Sequence, residues 1–355
     1  MRVVFLIEDS LPNRFVGPEL TPTLCSLIES GGWHPDGGVS VLASSTFPNH
    51  ATFATGRDVE SHRIFANDIW DGSSFVASPT VGPVGDTVFK AARRAGYSTA
   101  AILGDTTMIG CMGAAEADIS WPPPGDPPPG LSRDLLGYPA NRSVIEALGN
   151  SHAEALDTDL LYIHLNEPDS TLHRYGPDAP EARRRIREVD DDLATIVEIL
   201  RPRWDETVLF VVSDHDQEVV DHELEPIDLP HELATAGLSG IAHNEGMIGI
   251  VYDSPGARRL KRLPMIQGAS DVAPGVTIAW SERGRVFASG SDESAAARKT
   301  IAGQHGSPRT RTQVASVTGG HRAVGLVAQQ ISQHRPYATD YAPMISELLN
   351  LPLTR

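Results

Sequence analysis

The sequence predicts an α/β protein with a mostly parallel central sheet and helices on both faces. Short apolar runs, rich in branched side chains, alternate with helical segments in β-α-β-α order along the first half of the chain, which is typical of such sheets. The runs are almost continuously apolar, as expected for strands buried on both faces. Several of them end directly before acidic residues. With 355 residues, the chain is long enough to bury a large core.

The first elements are defined by their boundaries. Residues 3–8 form an apolar run that predicts a buried first strand and brings Asp9 to its end. A helix begins at Thr21-Pro22, because proline fits the first helical turn, and a glycine pair closes it after residue 30. Residues 38–42 predict a second short strand, and Pro48 then fits the start of the next helix.

The same pattern continues through the middle of the chain. It predicts helices at 85–96, 141–148 and 180–200, and strands at 97–103, 159–165 and 207–213. Between them, the proline-rich stretch 121–130 is expected to be a stiff surface connection, because it fits neither a helix nor a central strand.

The second half of the chain divides the protein into a core and a smaller lobe. From 217 to 318 the pattern weakens, with a helix at 229–235 and strands at 247–252 and 276–280. We interpret 217–318 as a subsidiary αβ lobe or lid. Residues 1–216 and 319–355, with a closing helix at 341–348, are expected to form the catalytic core.

Composition excludes several classes of function. The net charge of −17 argues against duplex nucleic acid as a partner, because binding its phosphates requires a basic face. No window approaches the ~18 apolar residues of a membrane span. The first apolar run is too short for a signal sequence, which predicts a cytoplasmic protein. Cys25 and Cys111 lack metal-type spacing and are expected to be core thiols.

Acidic residues and histidines follow the predicted strands. Ligands of open parallel sheets bind beyond the carboxyl ends of the strands. Asp9, Asp169 and Asp214 all fall at such ends, with His173 one helical turn after Asp169 and His215 directly after Asp214. Mixed carboxylate and imidazole ligands suit zinc or a similar divalent ion. Each aspartate alone could cap a helix and each histidine could be structural, but their shared edge favours a metal site.

A hydroxyl is expected beside these groups. Thr46 lies where the second strand gives way to a helix, near free backbone N–H groups and the positive end of the helix dipole. It is therefore placed to attack a phosphorus atom if its pKa is lowered. The alternative is that Ser44, Ser45 and Thr46 only cap the helix.

The motifs resemble those of the type I phosphodiesterase/nucleotide pyrophosphatase family, in the alkaline phosphatase superfamily. The resemblance lies in Thr46-Phe47-Pro48-Asn49-His50-Ala51-Thr52, Thr55-Gly56, Glu60-Ser61-His62, Asn67, Asp71, Pro168-Asp169, His173, Gly176-Pro177, Ser213-Asp214-His215 and Gly320-His321. These motifs cover most of the chain in the family's order. The resemblance also implies the alkaline phosphatase-like fold.

The resemblance implies two divalent metal ions, with zinc as the first choice for both and manganese as the alternative. One ion is expected on Asp169, His173 and His321, and the other on Asp9, Asp214 and His215, with Thr46 bridging towards it. Thr46 would become phosphorylated and then be released by a metal-activated water. The backbone N–H of Phe47 and the side-chain amide of Asn67 would hold the phosphoryl oxygen on which charge develops.

Three positions depart from the family pattern. Ser10 stands where the family commonly has glycine, Asp216 replaces the glycine expected after Asp-His, and Arg322 replaces a small residue after Gly-His. Asp216 and Arg322 are expected to change the charge beside the metals. Arg322 is either a contact to substrate phosphate or a surface residue.

The favoured function is hydrolysis of a small phosphoester, either a phosphodiester or a nucleotide pyrophosphate. Phe47, Phe65 and Trp70 are aromatic candidates for a leaving-group slot, with core packing as the alternative for each. C–P bond hydrolysis, as in phosphonoacetate hydrolases, is disfavoured. Those enzymes use lysines downstream of the nucleophile to hold the substrate carboxylate, and this chain has no lysine between Lys90 and Lys261. A phosphomonoesterase stays open. A non-catalytic metal-binding scaffold is disfavoured by the intact nucleophile motif.

Overall fold

The computed structural model of the protein describes residues 1–123, 129–288 and 300–354. The middle of the proline-rich stretch, residues 124–128, lies outside the described residues, so the surface connection expected there stays a prediction. Among the described residues, no helix combines the length and the apolar character that crossing a bilayer requires.

The strands and helices largely follow the predicted order. The strands are β1 (Arg2–Glu8), β2 (Gly32–Trp33), β3 (Gly38–Val39), β4 (Asp68–Trp70), β5 (Phe75–Ala77), β6 (Thr99–Leu103), β7 (Ile119–Trp121), β8 (Leu160–Leu165), β9 (Thr207–Val212), β10 (Glu218–Val219), β11 (Ile241–Glu245), β12 (Ile248–Tyr252), β13 (Gly268–Ala273), β14 (Val276–Trp280), β15 (Gly303–Gln304), β16 (Thr312–Gln313) and β17 (Ala315–Thr318). The α-helices are α1 (Pro22–Ser30), α2 (Thr46–Thr55), α3 (Val59–His62), α4 (Val88–Ala95), α5 (Met108–Cys111), α6 (Asn141–Glu146), α7 (Asp169–Tyr175), α8 (Pro180–Leu200), α9 (Leu229–Thr235), α10 (Ala257–Leu260), α11 (Val324–Gln333) and α12 (Tyr341–Leu349).

A seven-stranded sheet forms the centre of the protein. Its strand order is β2-β17-β9-β1-β8-β6-β7. β1 is parallel to both β8 and β9, and β6 is parallel to β7 and β8, whereas β17 runs antiparallel to β9 and β2. Helices pack on both faces, so the predicted α/β fold with a mostly parallel sheet is confirmed.

The sheet separates two apolar cores, because side chains alternate along each strand. On one face Phe5 lies among Phe53 of α2, Tyr162 of β8, Phe210 of β9 and Tyr341 of α12, with ring centroids 4.9–5.9 Å away. The opposite face of β1 packs against α1, α6 and α8. Helix α2, which begins at the predicted nucleophile, therefore packs through Phe53 against a cluster of aromatic side chains.

The strand predicted at 38–42 differs from the structure. Only Gly38–Val39 is a strand, and it pairs with Thr312–Gln313 outside the main sheet. The hydroxyl of Ser40 lies 2.9 Å from the hydroxyl of Ser44, and the backbone N–H of Ser40 donates to the carbonyl of Arg311. These contacts turn the chain away from the sheet. Helix α2 consequently follows a loop and not a strand of the central sheet.

The smaller lobe is built on a four-stranded antiparallel sheet of order β11-β12-β14-β13, and α9 and α10 contribute to its separate core. One strand assigned to 217–318 lies elsewhere. Ala315–Thr318 pairs with β9 in the main sheet, so that part of the assignment is wrong. The strand is short and is followed directly by Gly319, so the sequence pattern did not predict it. The division into core and lobe otherwise stays a prediction.

Candidate active site

A cavity of about 130 Å³ lies beyond the carboxyl ends of β1, β6 and β8, beside the start of α2. It is lined by Asp9, Thr46, Phe47, Asn67, Asp105, Met108, Asp134, Leu136, Tyr138, Asn166, Asp169, His173 and His305. Most of the predicted site residues are therefore gathered at one edge of the sheet, where an open α/β sheet places its ligands.

Thr46 is the first residue of α2, a ten-residue helix. Its hydroxyl Oγ1 lies 3.2 Å from Nε2 of His215. Ser45, the N-cap residue, makes no capping hydrogen bond through its side chain among the described residues, and the Ser44 hydroxyl donates to the carbonyl of Thr310 instead. The interpretation of these hydroxyls as caps therefore loses its support, and Thr46 is left facing the cavity.

Asp9, Asp214 and His215 form one side of the site. Nε2 of His215 lies 3.2 Å from Oδ2 of Asp214 and 3.7 Å from Oδ1 of Asp9. Oδ1 of Asp214 accepts the backbone N–H groups of Ser10 and His215, at 3.0 and 2.9 Å. Burial, and then the neighbouring carboxylate of Asp214, raise the pKa of Asp9 well above its usual value. Two carboxylates held this close without a cation disfavour their own ionisation.

Two histidines and an aspartate form the other side. Nε2 of His173 lies 3.4 Å from Oδ2 of Asp169, one helical turn away on α7. Nδ1 of His173 lies 2.9 Å from the carbonyl oxygen of Gly303, which orients the ring towards the cavity. The ring of His305 stacks on His215 at 4.0 Å between centroids and lies 5.0 Å from the ring of His173.

His321 does not join these residues, so its prediction as a metal ligand is wrong. Its backbone N–H donates to the carbonyl of Thr207, at the start of β9, at 3.2 Å. From there to Asp214 the strand spans roughly 23 Å at about 3.3 Å per residue. His321 and the exposed Arg322 thus lie at the opposite edge of the sheet, and Arg322 is placed on the surface, away from the cavity.

His305 occupies the position expected of His321. The ligand atoms of Asp169, His215 and His305 lie within 4.8 Å of one another, as do those of Asp9, Asp214 and His215. The signal in the sequence was the stretch Gly303-Gln304-His305-Gly306, a histidine next to a glycine as in Gly320-His321. The two stretches could not be distinguished without knowing which edge of the sheet each one reaches.

The buried polar atoms of the site fit bound cations. Oδ1 of Asp9, Oδ2 of Asp214, Nδ1 of His215 and Nδ1 of His305 are buried and have no hydrogen-bond partner among the described residues. Buried polar groups are normally paired, so several unpartnered ones within one cluster fit a cation that would bind there. A donor set of carboxylate oxygens and imidazole nitrogens is the one that zinc and similar divalent ions prefer.

Asn67 and Phe47 are adjacent, as predicted. The backbone N–H of Phe47 donates to the side-chain oxygen of Asn67 at 3.2 Å, and both residues line the cavity beside Thr46. The thiol of Cys111 donates to the carbonyl of Phe47 at 3.0 Å, so this cysteine supports the first turn of α2 from within the core.

Trp70 and Asp216 are placed differently from expectation. Trp70 packs on Phe75, 5.4 Å between ring centroids, and lines a separate pocket with Phe65 and Tyr252. It is therefore not a residue of the cavity at Thr46. Asp216 forms an ion pair with Arg14, so its charge is balanced there and is not directed at the candidate metal ligands.

Sequence reasoning missed three further cavity residues. Asp105 follows β6 and lies at the same edge as Asp9. Asp134 and Tyr138 belong to a tight turn in which Oδ1 of Asp134 accepts the N–H of Tyr138 at 2.9 Å. Burial raises the pKa of Asp134 to about 6 and that of Tyr138 to about 12. The strand end before Asp105 was a usable signal, whereas the turn depends on tertiary contacts.

The fold and the site define the class of this protein, an alkaline phosphatase-like α/β protein with a carboxylate and imidazole cluster at the carboxyl edge of its sheet. The chain belongs to the type I phosphodiesterase / nucleotide pyrophosphatase family, whose model matches residues 3–279. The recognition made from the motifs is confirmed, and the family is one of hydrolases.

Similar proteins support this assignment. Human ectonucleotide pyrophosphatase/phosphodiesterase family member 7 is 25% identical over 237 residues, which cover 60% of this chain and 50% of that protein. The bis(5'-adenosyl)-triphosphatase enpp4 of Mus musculus is 28% identical over 187 residues, covering 50% of this chain and 38% of that protein. The chain thus spans half or less of the length of these curated relatives.

Solved structures show the same fold. Murine ectonucleotide pyrophosphatase / phosphodiesterase 5 aligns with a TM-score of 0.71 at 17% identity, covering 100% of this chain and 96% of that chain. An inactive form of the murine protein in complex with AMP aligns with the same TM-score of 0.71.

Proposed function

We propose that this protein hydrolyses phosphodiesters or nucleotide pyrophosphates at a two-metal site, with Thr46 as the nucleophile. The observation that carries the proposal is the position of the Thr46 hydroxyl. It lies 3.2 Å from Nε2 of His215 and opens into the cavity that also contains Asp9, Asp169 and His305. A hydroxyl at a helix start, surrounded by groups that bind cations, is suited to nucleophilic attack on phosphorus.

The metal ligands of the proposal are those that the site brings together. Asp169, His173 and His305 would hold one ion, since His173 lies 3.4 Å from Asp169 and its ring lies 5.0 Å from that of His305. Asp9, Asp214 and His215, whose ligand atoms lie within 4.8 Å of one another, would hold the other, with Thr46 next to it. Zinc is the first choice and manganese the second. When bound, the ions would lower the pKa of the threonine hydroxyl and neutralise charge on the phosphoryl oxygens.

The residues of the chain perform the remaining tasks. Thr46 Oγ1 releases its proton to solvent and forms a bond to phosphorus while the bond from phosphorus to the leaving oxygen breaks, and the leaving oxygen takes up a proton from solvent. The oxygen of a water molecule then bonds to phosphorus as the bond from phosphorus to Thr46 Oγ1 breaks, and a proton from that water restores the threonine hydroxyl. The Phe47 N–H donates to Oδ1 of Asn67 at 3.2 Å. With substrate bound, this N–H and the Asn67 N–H₂ group would both donate to the oxygen that gains charge in the transition state.

Two features favour a nucleotide-like substrate. The rings of Phe47 and Tyr138 line the cavity, and aromatic faces suit a planar group attached to the phosphate. Among the described residues, the lining contains aspartates but neither lysine nor arginine, so an anionic substrate depends on the cations for its binding. The triphosphatase name of the mouse relative supports this substrate class.

A substrate panel with zinc-loaded protein tests the proposal. We expect hydrolysis of bis(p-nitrophenyl) phosphate and of a dinucleoside polyphosphate to exceed that of p-nitrophenyl phosphate and of phosphonoacetate. Chelation should abolish turnover, and zinc or manganese should restore it. Preference for the monoester or the phosphonate would instead favour the alternative reactions.

Thr46→Ala separates an enzyme from a metal-binding scaffold. The variant should keep its metal content and lose turnover, because the nucleophile is removed but the ligands stay. Thr195→Ala, at an exposed position of α8, is the matched control and should behave as wild type. Turnover that resists both the chelator and Thr46→Ala would overturn the proposal.

A further inference from the structure

The β11–β12 hairpin of the lobe contacts two segments of the site. Oε1 of Glu245, the last residue of β11, accepts the backbone N–H of Asn67 at 2.9 Å, and Oε2 accepts the N–H of Asp68 at 3.2 Å. At the tip of the hairpin, the N–H of Met247 donates to the carbonyl of His305 at 3.1 Å. One hairpin therefore holds both the segment of Asn67 and that of a candidate metal ligand.

Burial raises the pKa of the Glu245 carboxyl, while the N–H groups of Asn67 and Asp68 and the charge of His243 favour its ionised form. A carboxylate that accepts two consecutive backbone N–H groups forms charge-assisted hydrogen bonds, which are shorter and stronger than neutral ones. Nε2 of His243, on the same strand, lies 3.4 Å from Oδ2 of Asp68, and its ring stacks on Phe75 at 4.6 Å. Burial alone would lower the pKa of His243, but the hydrogen bond to Asp68 and the charge of Glu245 raise it overall. Two carboxyl groups and one imidazole thus meet at this junction.

The contact fixes Asn67 at its backbone. Its N–H is held by Glu245, and its carbonyl accepts the N–H of Ser78 at 2.8 Å. The Asn67 side chain then reaches the N–H of Phe47, next to Thr46. Both backbone groups of Asn67 are therefore held while its side chain makes this contact.

We propose that Glu245 is a positioning residue of the phosphoryl-transfer site, which acts by holding Asn67 beside the first turn of α2. The proposal rests on the proposed function, which gives Asn67 its role. It also assigns a role to the lobe. The hairpin of the lobe supports the side of the cavity that contains Asn67, without contacting the phosphoryl group itself.

A purely structural role for Glu245 makes a different prediction. An anchor that only stabilises the lobe would change the free energy of unfolding and leave the rate per folded molecule intact. A residue that acts through Asn67 lowers kcat, and its effect disappears once the Asn67 side chain is removed, because residues in one network are not additive.

The test is a double-mutant cycle on the zinc-loaded full chain with bis(p-nitrophenyl) phosphate. Glu245→Gln keeps one acceptor oxygen but presents an N–H₂ group to the other backbone N–H. We expect kcat to fall on the order of tenfold, less than the roughly 100-fold of losing an oxyanion donor, with KM within about twofold and zinc content unchanged. In the Asn67→Ala background, Glu245→Gln should change kcat by less than about twofold.

Controls keep each outcome informative. Glu223→Gln, at an exposed position of the lobe, should match wild type. If Glu245→Gln does not fold, Glu245→Asp, which keeps the charge with a shorter reach, takes its place in the cycle. An unchanged kcat, or an equal fall in both backgrounds, overturns the positioning role while the proposed function stands. A wild-type kcat in Asn67→Ala overturns the role of Asn67 and with it this inference.

Discussion

The rings of His173 and His305 lie 5.0 Å apart, although the four-stranded sheet of the lobe lies between them along the chain. His173 belongs to α7 and His305 follows β15, which pairs with β10 directly after the Asp214-His215 segment. The candidate metal site is therefore completed by the segment that contains His305. This allows His305 to be compared directly with His321, the ligand expected from the sequence.

His305→Ala should lose one of two bound zinc ions and lower kcat/KM by on the order of 100-fold or more, since even residues that only support metal ligands typically cost 10–100-fold. His321→Ala is the matched control, because His321 lies at the opposite edge of the sheet. Zinc content and turnover of both variants check the prediction. Loss of zinc in His321→Ala, with His305→Ala intact, would contradict the assignment.

Asn67→Ala should raise the barrier of the chemical step by roughly 2–4 kcal/mol, the scale of removing one oxyanion donor. Oδ1 of Asn67 accepts the N–H of Phe47, which leaves the amide N–H₂ group as the donor for the phosphoryl oxygen, and the substitution removes that donor. We expect this loss in kcat with KM little changed. Trp70→Ala, in a separate pocket, should retain the wild-type kcat, and a silent Asn67→Ala would show that the amide has another role.

Arg2→Met should destabilise the protein by about 3 kcal/mol, because it leaves buried acceptors without a donor. Arg2 is 2% exposed; its guanidinium donates to Oγ1 of Thr207 at 2.8 Å and to the carbonyl of Leu200 at 3.3 Å. Urea unfolding measures the change. Arg142→Met, on the exposed face of α6, should stay within about 0.5 kcal/mol. The turnover per folded Arg2→Met molecule should be normal, since Arg2 lies at the edge opposite the site.

His62 should make stability depend on pH below neutrality. Its Nδ1 accepts the N–H of Ile64 at 3.1 Å, so the neutral ring carries its proton on Nε2, 2.9 Å from the hydroxyl of Thr52. Burial lowers the pKa of His62 to about 3 from 6.5. Because the unfolded chain binds this proton more readily, stability is fully present above about pH 6.5 and is lost as the pH falls towards 3.

The measurement compares wild type with His62→Gln, both free of metal, at about pH 7.5 and about pH 5. Wild type should lose about 2 kcal/mol more than the variant over this interval, from 1.36 kcal/mol per unit below the unfolded pKa. Equal losses in the two proteins would show that His62 is not buried in its neutral form.

The sequence allowed us to predict those site residues that follow long buried strands. Asp9, Asp169 and Asp214 each come after such a strand, so their shared edge followed from the parallel topology alone. The prediction for His321 was wrong because a histidine next to a glycine does not reveal at which edge of the sheet it lies. Trp70 failed because an aromatic ring near the nucleophile in sequence can pack in either of two pockets.

Other features depend on contacts that no local pattern encodes. The apolar side chains of residues 38–42 favoured a strand, but the strand ends before Ser40, whose hydroxyl contacts that of Ser44. Ala315–Thr318 belongs to the main sheet although it is only four residues long. Glu245 was indistinguishable from a surface acid until its two backbone partners were known. In each case tertiary pairing overrode the local preference.

The ring of Tyr341 has a consequence for the order in which the protein matures. It lies against Phe5 and Phe53, 5.5 Å from each centroid, yet its helix follows every strand of the central sheet in the chain. During synthesis from the N-terminus, the support beneath α2 is therefore incomplete until Tyr341–Leu349 has emerged from the ribosome. The nascent chain should acquire the geometry of its candidate site only after these residues have left the ribosome.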